Sequence, residues 1–397
     1  MFESVLVRRH GDGQQIVDPG LLAETLLFYE NVHVLADRGI IPELANKIGK
    51  RSLIELLKNG HMTLTFVPEI FGTMTNNENN VQIHKFVAFT IEGKGTNRRL
   101  SIHDQLHLLL ERAVGKSRET RRFVNELFPL IKTKKSSNQL SQDIEPVTAA
   151  AEQDISDQQF VDAAVRDIIE NLLGRDFIPR DWFFYVMPTD NGFLIDTNYQ
   201  FDRLNEKSRK RFSGQDSPLT PAFLVNHILD ARADLQAACF YMAEIVTTPS
   251  AAAIIQRKLN SIRVKRDRNA AQIATFQDVF LHNTRALREA INSGERSFEE
   301  FLPVLDKAAR FKRWLKSMNP DASLIEEFHK SATAATWIEK LPTKVLRLAV
   351  ATAVGIANPV AGTMLSAADS LILDKLGRGW RPHQFVNRVL KEFVAAD

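Results

Sequence analysis

Three polar residues close two β-like runs and could form a metal-dependent nuclease site. Glu69 follows the first run, and Glu92 and Lys94 end the second. Two carboxylates and a lysine can hold Mg²⁺ and orient an attacking water molecule. Polar residues are also common wherever a strand passes into a loop. We therefore predict ordinary loop entry at these residues, and a nuclease remains the alternative.

Two histidines, His103 and His107, lie four residues apart and would share one face of a helix. That spacing suits a metal site, with Asp104 between them. However, Ser101 and Asp104 have the spacing of a capping box, which explains the acidic residue without any chemistry. The spacing locates no third ligand. We predict no metal at this pair and no cofactor.

Other enzyme motifs are incomplete. Gly115-Lys116-Ser117 resembles the end of a phosphate-binding loop, but Leu110 stands where that loop needs a glycine. Asp196 and Asp202 form an acidic pair with no nearby histidine. The chain has no G-x-S-x-G motif and one cysteine, Cys239, in an apolar run. These gaps favour a protein that is not an enzyme.

Basic residues cluster in three segments although the whole chain carries a net charge of only +3. Residues 203–212 contain five basic and one acidic residue, 257–268 contain six and one, and 307–316 contain five and none. Such clusters can bind phosphates of nucleic acid or lipid headgroups. Alternatively, they are solvated helix faces that pair with the acidic stretch 143–170. The candidate phosphate contacts are Arg263, Lys265, Arg266, Lys312 and Arg313.

A stretch of 21 residues without a charge, 348–368, lies near the carboxyl end. As one helix it would span about 31 Å, close to one bilayer core. Asn358-Pro359 interrupts it, so two helices near 343–357 and 359–376 are expected instead. Small residues spaced four apart allow close packing between such helices: Ala351 with Gly355, and Gly362 with Ser366. We predict a buried helical hairpin, with membrane docking as the alternative.

The sequence pattern predicts that these residues belong to a mainly α protein with a small α/β amino-terminal unit. Period-two runs mixed with helical runs indicate the α/β unit over 1–135. Residues 136–157 have acids but no lysine or arginine, which predicts a polar linker. Residues 158–397 read as mainly helical, with a β-hairpin near 182–197 and the apolar helix pair near 343–376.

The carboxyl half resembles a known group of proteins. INSGERSFEEFL at 291–302, WIEKLPTKVLR at 337–347 and the ending DKLGRGWRPHQF at 374–385 carry the resemblance, which covers roughly residues 180–397. They are similar to a family of bacterial proteins to which no activity is attached. The resemblance implies a bacterial, cytoplasmic protein and assigns no catalytic or binding residue.

Composition and resemblance together favour a non-enzymatic bacterial interaction or effector protein. The chain is 44% apolar and 25% charged, which is typical of a globular protein. The apolar hairpin would mediate self-association or membrane contact, as in a toxin-like or antiviral effector. The expected partners are a second copy or another protein, with a membrane surface or nucleic acid as alternatives. The expected location is the cytoplasm, with contact to the inner membrane as its variant.

Overall fold

The computed structural model describes ten segments of the chain. They are residues 4–9, 16–78, 81–90, 100–142, 145–174, 181–211, 218–241, 243–260, 282–317 and 385–394. Within them the protein is mainly helical and has two sheets.

A five-stranded parallel sheet forms the centre of the amino-terminal unit. Its order is β6-β3-β2-β1-β9, and every neighbouring pair is parallel. The strands are β1 (Ser4–Val7), β2 (Asn31–Ala36), β3 (Thr63–Phe66), β6 (Lys132–Thr133) and β9 (Glu244–Val246). Strand β9 therefore lies on the opposite side of β1 from all the others.

One face of this sheet packs on helix α1 (Pro19–Phe28), whose sequence PGLLAETLLF is apolar nearly all round. Such a helix is stable only when it is covered on every side. Nine of its ten residues are buried. The valines that face it, such as Val5, Val7 and Val34, belong to the same core. Helices α2 (Ile40–Lys47), α3 (Lys50–Lys58), α4 (Ile102–Val114) and α5 (Arg118–Leu127) complete that layer.

The other face packs on helix α9 (Pro221–Tyr241), which leads into β9. Ala237 and Ala238 of this helix share a core with Leu6, Leu35 and Ile245. A parallel sheet needs cover on both faces because its strands are buried on both sides. Asp234 of this helix contacts Arg8, which lies directly after β1.

A four-stranded antiparallel sheet, in the order β4-β5-β8-β7, joins two hairpins that are distant in sequence. The first is β4 (Glu69–Glu78) and β5 (Val81–Thr90), and the second is β7 (Phe184–Thr189) and β8 (Gly192–Thr197). Gly192, at φ 150°, lies where the hairpins meet, and a Cβ there would approach the His84 carbonyl oxygen to 2.1 Å. Only glycine permits this junction.

The inner face of the antiparallel sheet packs on a second core. Phe71, Phe86, Phe184 and Phe193 are buried there together with apolar residues of the surrounding helices. Those helices are α6 (Val147–Ser156), α7 (Gln158–Leu173), α8 (Phe201–Arg211), α9 and α10 (Pro249–Asn260).

Helices α11 (His282–Ser293), α12 (Phe298–Lys307) and α13 (Ala309–Ser317) lie against the amino-terminal core. Asp18, which caps α1, accepts hydrogen bonds from Leu21 N at 2.8 Å and Asn292 Nδ2 at 2.9 Å and pairs with Arg288. A Cβ on Gly20 would lie 2.5 Å from the Arg288 carbonyl oxygen, so glycine is needed for this close approach. Residues 385–390 and 391–394 form a terminal helical segment on the same core.

The mainly helical fold and the amino-terminal sheet agree with the sequence-based prediction, and the hairpin predicted near 182–197 is present as β7 and β8. The segment predicted as a linker, 136–157, instead contains α6. Val147, Ala151 and Ile155 bury one face of this helix in the second core, which overrides the polar composition of the segment. The sheet also extends beyond 1–135, because β9 pairs with β1. The apolar helix pair near 343–376 lies outside the described residues.

Glu24 of α1 is a fully buried carboxyl group between the sheet layer and α11. Its exposure is 0%, and neither carboxylate oxygen has a hydrogen-bond partner among the described residues. Burial, together with Asp18 and Glu289, raises its pKa well above the usual value, and Arg288 opposes this. The native protein therefore favours the protonated form of Glu24.

Because the folded pKa of Glu24 is raised, the native state binds more protons than the unfolded chain above about pH 4.3. This group therefore lowers stability as pH rises toward its folded pKa. Glu24→Met should raise the free energy of unfolding at pH 8 by about 1–3 kcal/mol and weaken its fall between pH 5 and 8. Urea unfolding at several pH values measures this, with exposed Glu295→Gln as the control. A destabilised Glu24→Met variant would contradict the prediction.

Candidate functional site

The outer face of the antiparallel sheet is an apolar surface that no described element covers. Residues alternate between the two faces of a strand. Pairing of Met74 with Lys85 and of Met187 with Leu194 places these four side chains outward, opposite to the buried phenylalanines. An antiparallel sheet with one solvated face usually carries polar residues outward. Here the outward positions are mostly apolar: Ile70, Met74, Val81, Ile83, Val87, Phe89, Tyr185, Met187 and Leu194.

Exposure confirms how unusual this face is. Of the seven large hydrophobic residues that are exposed in the described chain, five lie on it, each 44–46% exposed: Met74, Val81, Phe89, Tyr185 and Met187. The other two, Leu108 and Phe240, lie on α4 and α9. Scattered exposed hydrophobics need no explanation, but a concentration on one face indicates a contact surface.

Local contacts hold the aromatic side chains of this face in place. Phe183 stacks on Tyr185 with 4.9 Å between ring centroids. A Cβ on Gly72 would lie 3.3 Å from the ring of Phe89, so this ring lies beside a glycine that has no side chain to compete for space. The charged residues of the face are Lys85 on β5, Asp196 on β8 and Glu78 at the end of β4, all exposed. The apolar face thus includes charges of both signs, two of them on its central strands β5 and β8.

A second polar feature lies at the carboxyl edge of the parallel sheet. Arg8 Nη1 contacts Asp234 Oδ1 at 2.6 Å, and Arg9 Nε contacts Asp37 Oδ2 at 2.7 Å. Thr247, directly after β9, donates to the second oxygen of Asp234. Strands β1, β2 and β9 and helix α9 therefore bring their polar residues to one place. We call Arg8, Arg9, Asp37, Asp230 and Asp234 the edge cluster.

Burial shifts the pKa values of the edge cluster. It is the largest effect on Asp230 and Asp234 and raises both pKa values above the usual range, although Arg8 and Arg9 oppose it. Burial would also raise the pKa of Asp37, but Arg9 and the Gly39 amide more than offset it and lower that pKa. The three carboxyl groups are therefore inequivalent.

Glu69, the first candidate nuclease residue, binds a neighbouring loop. Its Oε2 accepts hydrogen bonds from Ser137 N at 2.6 Å, Asn138 N at 2.8 Å and Ser136 Oγ at 2.8 Å. These hydrogen bonds give Oε2 a structural role, which needs no catalytic explanation. Glu92 and Lys94 lie outside the described residues, so whether the three groups meet stays a prediction.

His103 and His107 lie on one helix, α4, as the sequence predicted, and each has a partner of its own. His103 Nε2 is 3.1 Å from Asn125 Oδ1, and His107 Nδ1 is 3.5 Å from Glu111 Oε1. Ser101 caps the helix by accepting from Asp104 N. In the ranges that the structure describes, no three His, Cys, Asp or Glu residues are grouped so that they could hold a metal ion.

The predicted phosphate contacts are only partly described. Lys312 on α13 is partly buried, and burial lowers its pKa to about 8, with Glu30 opposing. Arg313 is exposed, and its Nε donates to Ala309 O at 3.4 Å. The other contacts and the hairpin residues lie outside the described residues: Arg263, Lys265, Arg266, Ala351, Gly355, Gly362 and Ser366.

Comparisons with family models, with curated proteins and with solved structures found no match to this chain. The predicted resemblance of residues 180–397 therefore remains a prediction. Among the helices within the described ranges, none is both long enough and apolar enough to cross a membrane.

Sequence reasoning missed both surfaces. The outer face had a signal, because FVAF at 86–89 is apolar at successive positions and therefore on both sides of the strand. The edge cluster had none, because its members are separated by up to 226 residues and polar residues follow most strands.

Glu69→Gln tests the structural role of Glu69. The donors of residues 136–138 all bond to one carboxylate oxygen, and an uncharged amide oxygen is a weaker acceptor, so we expect a loss of about 1–3 kcal/mol in unfolding free energy. Hydrogen exchange at Ser137 and Asn138 should become faster. Glu78→Gln, at the exposed end of the same strand, is the matched control and should change neither. Unchanged stability and exchange together with loss of a Mg²⁺-dependent nuclease activity would favour the catalytic alternative.

Proposed function

We propose that this protein is an interaction protein that forms a homodimer through the outer face of its antiparallel sheet. The observation that carries the proposal is that, of the seven large hydrophobic residues exposed in the described ranges, five lie on that face. Covering such residues is favourable by about 25 cal/mol per Å² of apolar surface removed from water. The proposal keeps the prediction of self-association and assigns it to a described surface.

A second copy is favoured as the occupant because the charges on the face can complement themselves. Lys85 and Asp196 point outward from neighbouring strands, on opposite sides of the Ile83 and Leu194 pair in the sheet register. Consider a twofold axis that lies in the plane of the interface and runs perpendicular to the strands at the Ile83 and Leu194 pair. It would place Lys85 of one copy beside Asp196 of the other. A C2 interface of this kind uses the same surface on both copies.

The size of the face sets the expected strength of the dimer. Two strands of ten and two of six residues cover about 500 Å², at about 3.3 Å per residue and about 4.8 Å between strands. This is below the roughly 800 Å² per partner of a typical stable complex. We therefore expect a reversible dimer that dissociates in the micromolar range.

Sedimentation velocity over a series of protein concentrations tests this proposal. Wild-type protein should pass from monomer to dimer, and Phe89→Ser with Met187→Ser should shift the equilibrium toward monomer by at least tenfold. The matched control is Leu108→Ser, which removes an exposed hydrophobic residue from α4, away from the face. It should leave the dimerisation constant unchanged.

Charge exchange tests the pairing itself. Lys85→Asp alone and Asp196→Lys alone should each weaken the dimer through like charges, and combining the two should restore it. Thermal unfolding of each variant verifies that the monomer remains folded. A monomer at every concentration would overturn the proposal, as would flotation of wild-type protein with liposomes that depends on the same face.

A further inference from the structure

The edge cluster lies at the one point where the order of the parallel sheet reverses. From β1 the chain continues to β2 on one side, whereas β9 adds on the other side. Ligands of open parallel sheets bind in the crevice at the carboxyl ends of the strands flanking such a point. Arg8 and Arg9 directly follow β1, Thr247 directly follows β9, and Asp234 of α9 contacts both Arg8 and Thr247.

Arg9 has donors to spare in this crevice. Its side chain is 49% exposed, and only Nε has a partner in the described chain, Asp37 Oδ2 at 2.7 Å. Asp37 is itself fixed, because its Oδ1 accepts from Gly39 N at 2.7 Å and Ile40 N at 3.2 Å. The two terminal nitrogens of the Arg9 guanidinium are thus oriented, and no hydrogen bond or ion pair engages them within the described ranges. That geometry suits a carboxylate bound by two parallel hydrogen bonds.

Asp230 on α9 has acceptor capacity to spare in the same crevice. Its only hydrogen bond from the described residues comes from Asn226 Nδ2 at 3.2 Å. Arg8 and Arg9 act on it electrostatically, but no described cation lies within ion-pair distance of its carboxylate. A carboxylate can accept about four hydrogen bonds. Asp230 therefore suits a ligand that donates several, such as a primary ammonium group.

Asn226 fixes the position of Asp230 from behind. Its Oδ1 accepts a hydrogen bond from Thr73 Oγ1 at 3.4 Å, which anchors this turn of α9 to strand β4. The side of the crevice that carries Asp230 is therefore attached to the antiparallel sheet, and the side that carries Arg9 is attached to the parallel sheet. A ligand between them would contact both sheets.

The charge of the cluster selects among ligands. Two guanidinium groups and three carboxyl groups sum to −1 when all are ionised. A purely anionic ligand would bind Arg9 against the field of three acids, and a purely cationic ligand would leave the Arg9 donors unused. A ligand that carries both signs satisfies both groups.

We propose that the crevice between Arg9 and Asp230 binds a small zwitterion of the α-amino-acid type. Its carboxylate accepts from the two terminal nitrogens of Arg9, and its ammonium group donates to Asp230. The site is separate from the outer face of the antiparallel sheet, so it does not depend on the proposed dimer.

Thermal unfolding and isothermal calorimetry on the full chain test this proposal. The probes are the common L-amino acids, one at a time, with propionate and ethylamine as compounds that carry one charge each. At least one amino acid should raise the unfolding temperature and give a binding isotherm, whereas propionate and ethylamine at the same concentration should not. No response to any amino acid, or an equal response to propionate or ethylamine, would overturn the proposal.

Two variants locate the site. Asp230→Asn keeps the size of the side chain and removes its charge, and Arg9→Gln removes the spare donors; each should weaken binding at least tenfold. Arg51→Gln removes another exposed guanidinium, one that pairs with Glu55 and Glu299 on a distant surface, and should leave binding unchanged. If Arg9→Gln unfolds the protein because Asp37 loses its partner, the binding measured for Asp230→Asn tests the proposal by itself. Binding that survives Asp230→Asn would overturn the proposal.

Discussion

Helix α9 must serve both sheets at once, and the rest of the structure depends on this constraint. Its carboxyl half covers one face of the parallel sheet through Ala237 and Ala238, and its amino-terminal half reaches strand β4 through Asn226. The ion pair of Arg8 with Asp234, both nearly buried, fixes the helix at the end of β1. A buried pair of this kind is costly to break, because either partner alone would be an uncompensated buried charge. The chain can then return as β9 beside β1.

This arrangement explains why one sheet is closed and the other is open. The parallel sheet has α1 on one face and α9 on the other, so its strands have no solvated side. The antiparallel sheet packs its inner face on α7, α9 and α10, which share one core, and no element of the described ranges covers its outer face. A polar outer face would be stable in water. Because this face is apolar, its exposure to water is unfavourable, and covering it with a second copy would remove that penalty.

Buried charged groups in this protein fall into two kinds. Asp18 is fully engaged, with a capping bond, an amide and Arg288, and it holds α11 on α1. Glu24, six residues further along the chain, has no hydrogen bond from the described residues and is held in a mainly apolar layer. The edge cluster combines both kinds, since Asp37 and Asp234 are engaged and Asp230 retains capacity. Groups with unused capacity near solvent are the ones available to a ligand.

The sequence by itself determined the local elements. The apolar stretch of α1 predicts a buried helix, Ser101 predicts the start of α4, and the alternation around 182–197 predicts a hairpin, because each depends on neighbours within a few residues. Only the tertiary structure decided which elements share a core. The pairing of β9 with β1, the burial of α6 in a segment of linker-like composition and the joining of two hairpins at Gly192 depend on contacts between residues far apart in sequence. The candidate sites follow the same division. A strand end identified Glu69 as a polar residue of interest, but its partners at 136–138 and the pairing of Arg8 with Asp234 arise from chain topology, which local periodicity does not encode.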